Sequence, residues 1–449
     1  MAGRSDIEKG KVDQSVEEWK STFRAKLRRH SPLPASCCIF RVPEVLRIQK
    51  QEAYEPHMVS IGPFHRGRRE QFQLVENVKG WYLECLLSRL NISLDSLIDR
   101  IKVLERDARA CYSEPFIQLD HNKFVEMLIL DGCFLIELFR KALVMNEDID
   151  EKDGDHDDPI FSLSCMLEYL YHDILLLENQ LPWAVLEFFY DLIFENSRTN
   201  PLELSLSELI IKFFIQSVAD GRIFSYPEPD NESVHILDFI RTALVLSKQQ
   251  HTVTNRSRTR SSYLPARIPC AITLSELGVK FKRGAPGCIM DIEFMNGVFT
   301  IPPLVIDLRS GPLFRNLIAY EQLYQRCSQK VTSYIVLMDS LLGSIEDVDL
   351  LCEERILSNM LSGDQDASQF FKQLCNHHTI FIMFDYMKLC VDVNVYCAKQ
   401  RRRLKPQRNR WIKQLKHDYF GTPWKILSWF AAGTLLVLTL LQTIYTINN

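Results

Sequence analysis

Five polar residues sit where chemistry could be done. Asp131 precedes Gly132 inside the apolar run 124–139, and Glu178, Asn179 and Gln180 close the run Ile174–Leu177 just before Leu181-Pro182. With His65 they would supply acid, base and amide groups, the minimum for an uncharacterised enzyme. A buried carboxylate without a partner is costly, however, so each must be capped or paired. Pro182 disfavours helix at the residue before it, which leaves loose backbone ends for Glu178, Asn179 and Gln180 to satisfy. The preferred reading is therefore fold-specifying polar contact, and no residue is assigned as catalytic.

Metal and nucleotide chemistry have weaker footholds. Cys375, His377 and His378 form a C-x-H-H group with Cys390 and Cys397 downstream. On one continuous helix Cys390 stands about four turns from Cys375, too far to close a tetrahedral zinc site. The acidic segment Glu147–Asp158 fails as an EF-hand, because aligning Gly154 to the loop glycine puts Ile149 and Ile160 where carboxylates belong. His57 and His65 near Cys37-Cys38 lack any nucleophile motif. No Walker A, dinucleotide fingerprint, G-x-S-x-G, H-E-x-x-H or kinase set is present. Glycine is scarce, 17 of 449 residues, which argues against phosphate-cradling loops. No metal and no cofactor are expected.

The elements that position these residues read as helices. Apolar periodicity predicts helices over about 70–90, 93–112, 120–145, 161–180, 183–196, 205–219, 233–248, 312–328, 331–342, 346–361 and 367–400. Ser15 with Glu18, and Ser205 with Glu208, are capping boxes. Asn296-Gly297 between Ile289–Phe294 and Val298–Ile301 signals a type I′ hairpin, with Val279–Lys282 as a third strand. The fold class expected is predominantly α-helical with a small antiparallel sheet at about 279–306, plus one C-terminal transmembrane helix. Glu147–Asp158 and Ser247–Arg267 are polar and are expected as disordered loops.

The charge is uneven. The chain carries −4 overall, and its mean hydropathy is −0.09. After Lys425 no charged residue remains, and 426–447 is apolar enough to predict a membrane span. Trp424, Trp429 and Tyr445 would mark its interfaces. Lys399, Arg401, Arg402, Arg403, Lys405, Arg408, Arg410, Lys413, Lys416 and Lys425, against the single acid Asp418, give 399–425 a net +9. The rest of the chain holds the balance, −13. The basic residues are expected to contact anionic lipid headgroups of the bilayer, with the large domain on the cytosolic side of a plasma or internal membrane. Beside an apolar span this reading outranks a nucleic-acid patch, so no nucleic-acid partner is expected. Residues 1–30 show no signal peptide, and the 13 cysteines contain no C-x-x-C pair, as suits reduced thiols. Sequons at Asn91, Asn231 and Asn255 would report the opposite topology if glycosylated. Four parts follow: a helix and linker (1–36), a mainly helical domain (37–398), the basic segment (399–425) and the span (426–447).

Several blocks carry a resemblance. They are Phe40-Arg41-Val42-Pro43, Tyr54 to His65, Glu76-x-x-Lys79 with Tyr82-Leu83, Met127 to Phe134 and Asp173-Ile174-Leu175-Leu176-Leu177-Glu178-Asn179-Gln180-Leu181-Pro182. Further blocks are Glu276 to Phe281, Ile301 to Leu304, Phe314 to Gln322, Thr332-Ser333-Tyr334 and Asp418-Tyr419-Phe420 leading into Pro423-Trp424. Over nearly the whole chain this resembles the plant domain of unknown function 247 (UPF 0481) family. The family commonly reads His-His-Gly where this chain has His65-Arg66-Gly67. The resemblance implies a plant membrane protein with one C-terminal span and no established catalytic residues. Some grass members are associated with self-incompatibility loci, which implies recognition or signalling. The expected function is a non-enzymatic, membrane-tethered interaction or signalling module with an unidentified protein partner. The alternatives are an enzyme built on Asp131, Glu178, Asn179, Gln180 and His65, or an outward-facing recognition ectodomain.

Overall fold

The run 124–139 is apolar apart from Glu126, Asp131 and Glu137, so most of its surface must be enclosed. In the computed structural model it lies within the helix His121–Asn146, where Phe134, Leu135, Ile136, Leu138 and Phe139 are all fully buried. The structure describes residues 16–24, 27, 33–67, 72–116, 118–146, 158–163, 165–194, 204–216, 233–245, 267–285, 288–361, 364–375, 384–420 and 423–448. The enclosing helices are Gln73–Leu90, Leu94–Ile101, Trp183–Phe194 and Leu206–Gln216. Gly132 allows this closeness, since a Cβ there would stand 2.5 Å from the Phe189 ring.

A second set of helices packs alongside. Ser310–Leu323 lies against Lys330–Leu341 and Asp364–Leu374, and Ile345–Glu353 packs on Asp364–Leu374 and Ala271–Glu276. Ile236–Val245 touches both sets, so one apolar core runs through the molecule. The Ser205–Glu208 capping box forms as expected, with Glu208 N–H donating to Ser205 Oγ at 3.2 Å and Ser205 N–H to Glu208 Oε2 at 2.8 Å. Residues 16–24 are helical, but Ser15 lies outside the described residues.

The sheet corrects the antiparallel expectation. β2 (Glu293–Met295) and β3 (Val298–Ile301) form the hairpin, with Asn296 at φ +53° and Gly297 at φ +80°. β1 (Lys280–Arg283) pairs with the other edge of β3 in parallel, which stacks Phe281 on Phe299. β3 is thus central and the sheet is mixed. The connection between β1 and β2, with Cys288, Ile289 and Ile292 buried, lets the chain reach the far edge. A separate parallel pair joins β4 (Leu304–Ile306) to β5 (Leu357–Asn359). β5 falls in a predicted helix, which instead ends at Glu353 because Arg355 turns left-handed at φ +56°.

The C-terminal expectation is also corrected. Pro423–Asn448 is a helix, yet among the described residues no helix is long and apolar enough to cross a membrane. Within Pro423–Asn448, Thr434, Thr439 and Thr443 turn their hydroxyls onto the carbonyls of Ala431, Leu435 and Thr439. The predicted transmembrane helix 426–447, and a membrane tether through it, are therefore not supported. Lys399, Arg401, Arg402 and Arg403 are exposed on the helix Met387–Phe420. The side chains of Lys405, Arg408, Arg410, Lys413, Lys416, Lys425, Trp424, Trp429 and Tyr445 lie outside the described residues, as do residues 147–157 and 246–266. So do His377, His378, Asn231 and Asn255.

Candidate functional site

Residues 40–65 cross the core with little regular structure, so their backbone N–H groups have no ladder to donate into. Side chains fill the need. Asp173 accepts three of these groups, from His57 (2.8 Å), Met58 (2.7 Å) and Val59 (2.9 Å). Asn179 Oδ1 accepts Ile61 N–H at 2.6 Å, and its amide donates back to the Val59 carbonyl at 3.1 Å. Asp131 Oδ2 accepts Gly62 N–H at 2.9 Å. Gly62 is required there twice over. Its φ is +68°, and a Cβ would stand 2.7 Å from the Gln180 carbonyl.

Asp131 is neutralised by Lys79, whose ammonium lies 2.7 Å away. Both side chains are fully buried, and Lys79 also donates to the Ser60 carbonyl and to Glu76, each at 2.6 Å. Glu178 anchors the other end of the segment. Its Oε1 accepts Val42 N–H at 2.6 Å and the Arg47 guanidinium, and its Oε2 faces His65 Nε2 at 3.4 Å. Gln180 turns inward, donating to the Ile174 and Leu176 carbonyls and accepting Leu237 N–H at 3.0 Å. The structure thus gathers the five predicted residues along one buried seam, but splits them between separate partners.

Their relation to open space differs. His65 lines a cavity of about 420 Å³ with Arg41, Arg47 and Glu55. Asp131, Glu178, Asn179 and Gln180 line neither this cavity, nor the one of about 880 Å³ beside Arg315 and Asp339, nor the apolar one of about 80 Å³ beside Tyr171. All four are at most 1 % exposed. They close the fold and do not face a ligand-sized space described here.

The later family blocks do the same work. Asn316 accepts Leu177 N–H at 2.9 Å and donates to the Ala53 carbonyl at 2.9 Å, tying the C-terminal helices to the seam. Glu321 takes Arg241 and the N–H groups of Val331 and Thr332. Burial raises the Glu321 carboxyl above its usual range, and Arg241 and these hydrogen bonds only partly offset that.

His235 gives this core a pH dependence. It is fully buried, its Nδ1 accepts Asp238 N–H at 3.1 Å, and its Nε2 faces the Cys38 carbonyl at 3.3 Å. That geometry requires the neutral ring, with the proton on Nε2. Burial pulls its pKa down to about 4, against smaller opposing effects of Asp238 and the Cys38 carbonyl. The unfolded chain therefore binds the extra proton first. The stability this residue contributes is present above about pH 6.5 and is lost as pH falls toward 4. Between pH 7 and pH 5 the loss is expected to be about 2 kcal/mol. Urea unfolding of the wild type and His235→Gln at both pH values checks this. Equal pH slopes in the two proteins would refute it.

Sequence reasoning missed Lys79 as the partner of Asp131, although both stand in recognised blocks. It also missed His172 and Asp173, which meet His57 across 115 residues. Burial pushes Asp173 up, but hydrogen bonds from His172, His57 and Met58 more than reverse this and hold its carboxyl below the usual range. The adjacent His-Asp pair was the available signal.

A mostly helical body with a small mixed sheet, closed by a seam of buried polar side chains, is the class of protein defined so far. The chain belongs to the DUF247 family, described as "Plant protein of unknown function", whose model matches residues 39–438. It is similar to "UPF0481 protein At3g47200" of Arabidopsis thaliana, 28 % identical over 473 residues, covering 99 % of this chain and 95 % of that one. It is also similar to "Putative UPF0481 protein At3g02645" of the same plant, 24 % identical over 541 residues, covering 98 % and 96 %. No solved structure matches.

Proposed function

We propose that this protein is a non-enzymatic interaction module that works through its surface. One observation carries the reading. The side chains an enzyme would need, Asp131, Glu178, Asn179 and Gln180, are spent on backbone N–H and C=O groups of the fold. The uneven charge supports it, since an acidic body carries an exposed row at Arg401, Arg402 and Arg403. Opposed charge of this kind steers association and selects partners. His65, which lines a cavity of about 420 Å³, is a feature that favours an enzyme.

Cross-linking mass spectrometry of the full chain in plant tissue tests the two readings together. The module reading expects a reproducible partner set that Arg401→Glu/Arg402→Glu/Arg403→Glu depletes and His65→Ala leaves intact. An empty map for the wild type would contradict it. So would turnover of a metabolite by the purified chain that His65→Ala abolishes.

A further inference from the structure

We propose that His57, His172 and Asp173 form a binding site for one divalent transition-metal ion of the zinc class. Three ligand atoms converge. His57 Nδ1 and His172 Nδ1 are 2.9 Å apart, His172 Nδ1 and Asp173 Oδ1 are 2.8 Å apart, and His57 Nδ1 and Asp173 Oδ1 are 3.5 Å apart. Metal–ligand bonds of about 2.1 Å put neighbouring ligands about 3.0 Å apart at right angles and about 3.4 Å apart at tetrahedral angles. The triangle fits that range. An ion about 2.1 Å from each atom would stand about 1 Å out of their plane, with its remaining positions open.

Protons satisfy this triangle poorly. The Asp173 carboxylate only accepts, so His172 Nδ1 must donate to it. His57 Nδ1 then meets the same N–H, and two acceptors share one hydrogen. A cation between the three atoms serves each lone pair at once.

The surroundings are built to hold the ligands still. Asp173 is fully buried, and the N–H groups of His57, Met58 and Val59 occupy its other lone pairs. Such second-layer hydrogen bonds orient a ligating carboxylate. The His172 side chain is 10 % exposed and lines the apolar cavity beside Tyr171, whereas the His57 side chain is 44 % exposed. The site is therefore fixed on one side and reachable from water on the other. Two imidazoles with one carboxylate suit zinc, cobalt or nickel and not the all-oxygen preference of calcium or magnesium. The ion would staple the loop at 57–59 to the end of the helix Met166–Ile174.

The test uses the full chain, stripped with chelator and kept reduced. Zinc titrated by calorimetry should bind one equivalent that His57→Ala and His172→Ala each weaken at least about 100-fold. His57 is the most exposed of the three ligands, so its variant should keep the wild-type circular dichroism. Cobalt should give visible d–d bands without the near-ultraviolet thiolate charge-transfer band, which separates this site from the free cysteines. Zinc should also raise the wild-type Tm and leave that of His57→Ala unchanged. Equal zinc binding by wild type and both variants, or a cobalt spectrum dominated by thiolate, would overturn the proposal.

Discussion

Asp131→Ala is expected to lower the unfolding free energy by about 3–5 kcal/mol, the cost typical of breaking a buried ion pair from one side. The variant strands the Lys79 ammonium in the core and leaves Gly62 N–H without its acceptor. Glu76 and the Ser60 carbonyl remain near Lys79, but Glu76 is only partly buried and cannot replace a second enclosed charge. Whole domains have only about 5–15 kcal/mol in hand, so this variant should accumulate poorly. Lys79→Met combined with Asp131→Ala should recover part of the loss, because it removes the uncompensated charge. Urea unfolding of the three proteins measures this. A double variant no more stable than Asp131→Ala would show that the charge pair is not the cause.

Glu178→Ala is expected to cost about 2–4 kcal/mol, a little less, because Arg47 keeps some contact with water. It removes the acceptor of Val42 N–H and the partner of the Arg47 guanidinium. Glu178→Gln keeps one carbonyl acceptor and should cost about half as much. The ordering separates a structural carboxylate from a catalytic one. A catalytic Glu178 would tolerate either change in urea unfolding, and two variants as stable as wild type would contradict the structural role.

Much of this fold could be read from the chain. The run 124–139 announced a buried helix because only Glu126, Asp131 and Glu137 interrupt its apolar residues, and Asn296-Gly297 fixed the hairpin through its backbone preference. Other elements depend on distant pairing. β1 and β2 take opposite edges of β3, β1 in parallel and β2 antiparallel, and no local pattern encodes that. β5 is three residues long and exists because β4 offers it an edge. The predicted helix 93–112 breaks into Leu94–Ile101, a short 3₁₀ turn and Glu105–Ala110. At the C-terminus the absence of charge predicts a span, whereas among the described residues no helix is long and apolar enough to cross a membrane.

The site was legible in type and not in pairing. Asp131 and Glu178–Gln180 stand out because polar groups in apolar runs need partners. Nothing local says that the partners of Asp131, Glu178 and Asn179 are the backbone of 42–62, 69 to 136 residues away in the chain, or that Gln180 meets Leu237. The His57, His172 and Asp173 meeting is hidden for the same reason, since proximity across 115 residues leaves no spacing to read.

The central claim is that buried side chains pin the segment 42–62 to the core. Native-state hydrogen exchange at the amides of Val42, His57, Met58, Val59, Ile61 and Gly62 tests it most directly. The account predicts that these amides open only with global unfolding, with protection equal to that of the helix His121–Asn146. Exchange at the rate of an exposed loop would contradict it.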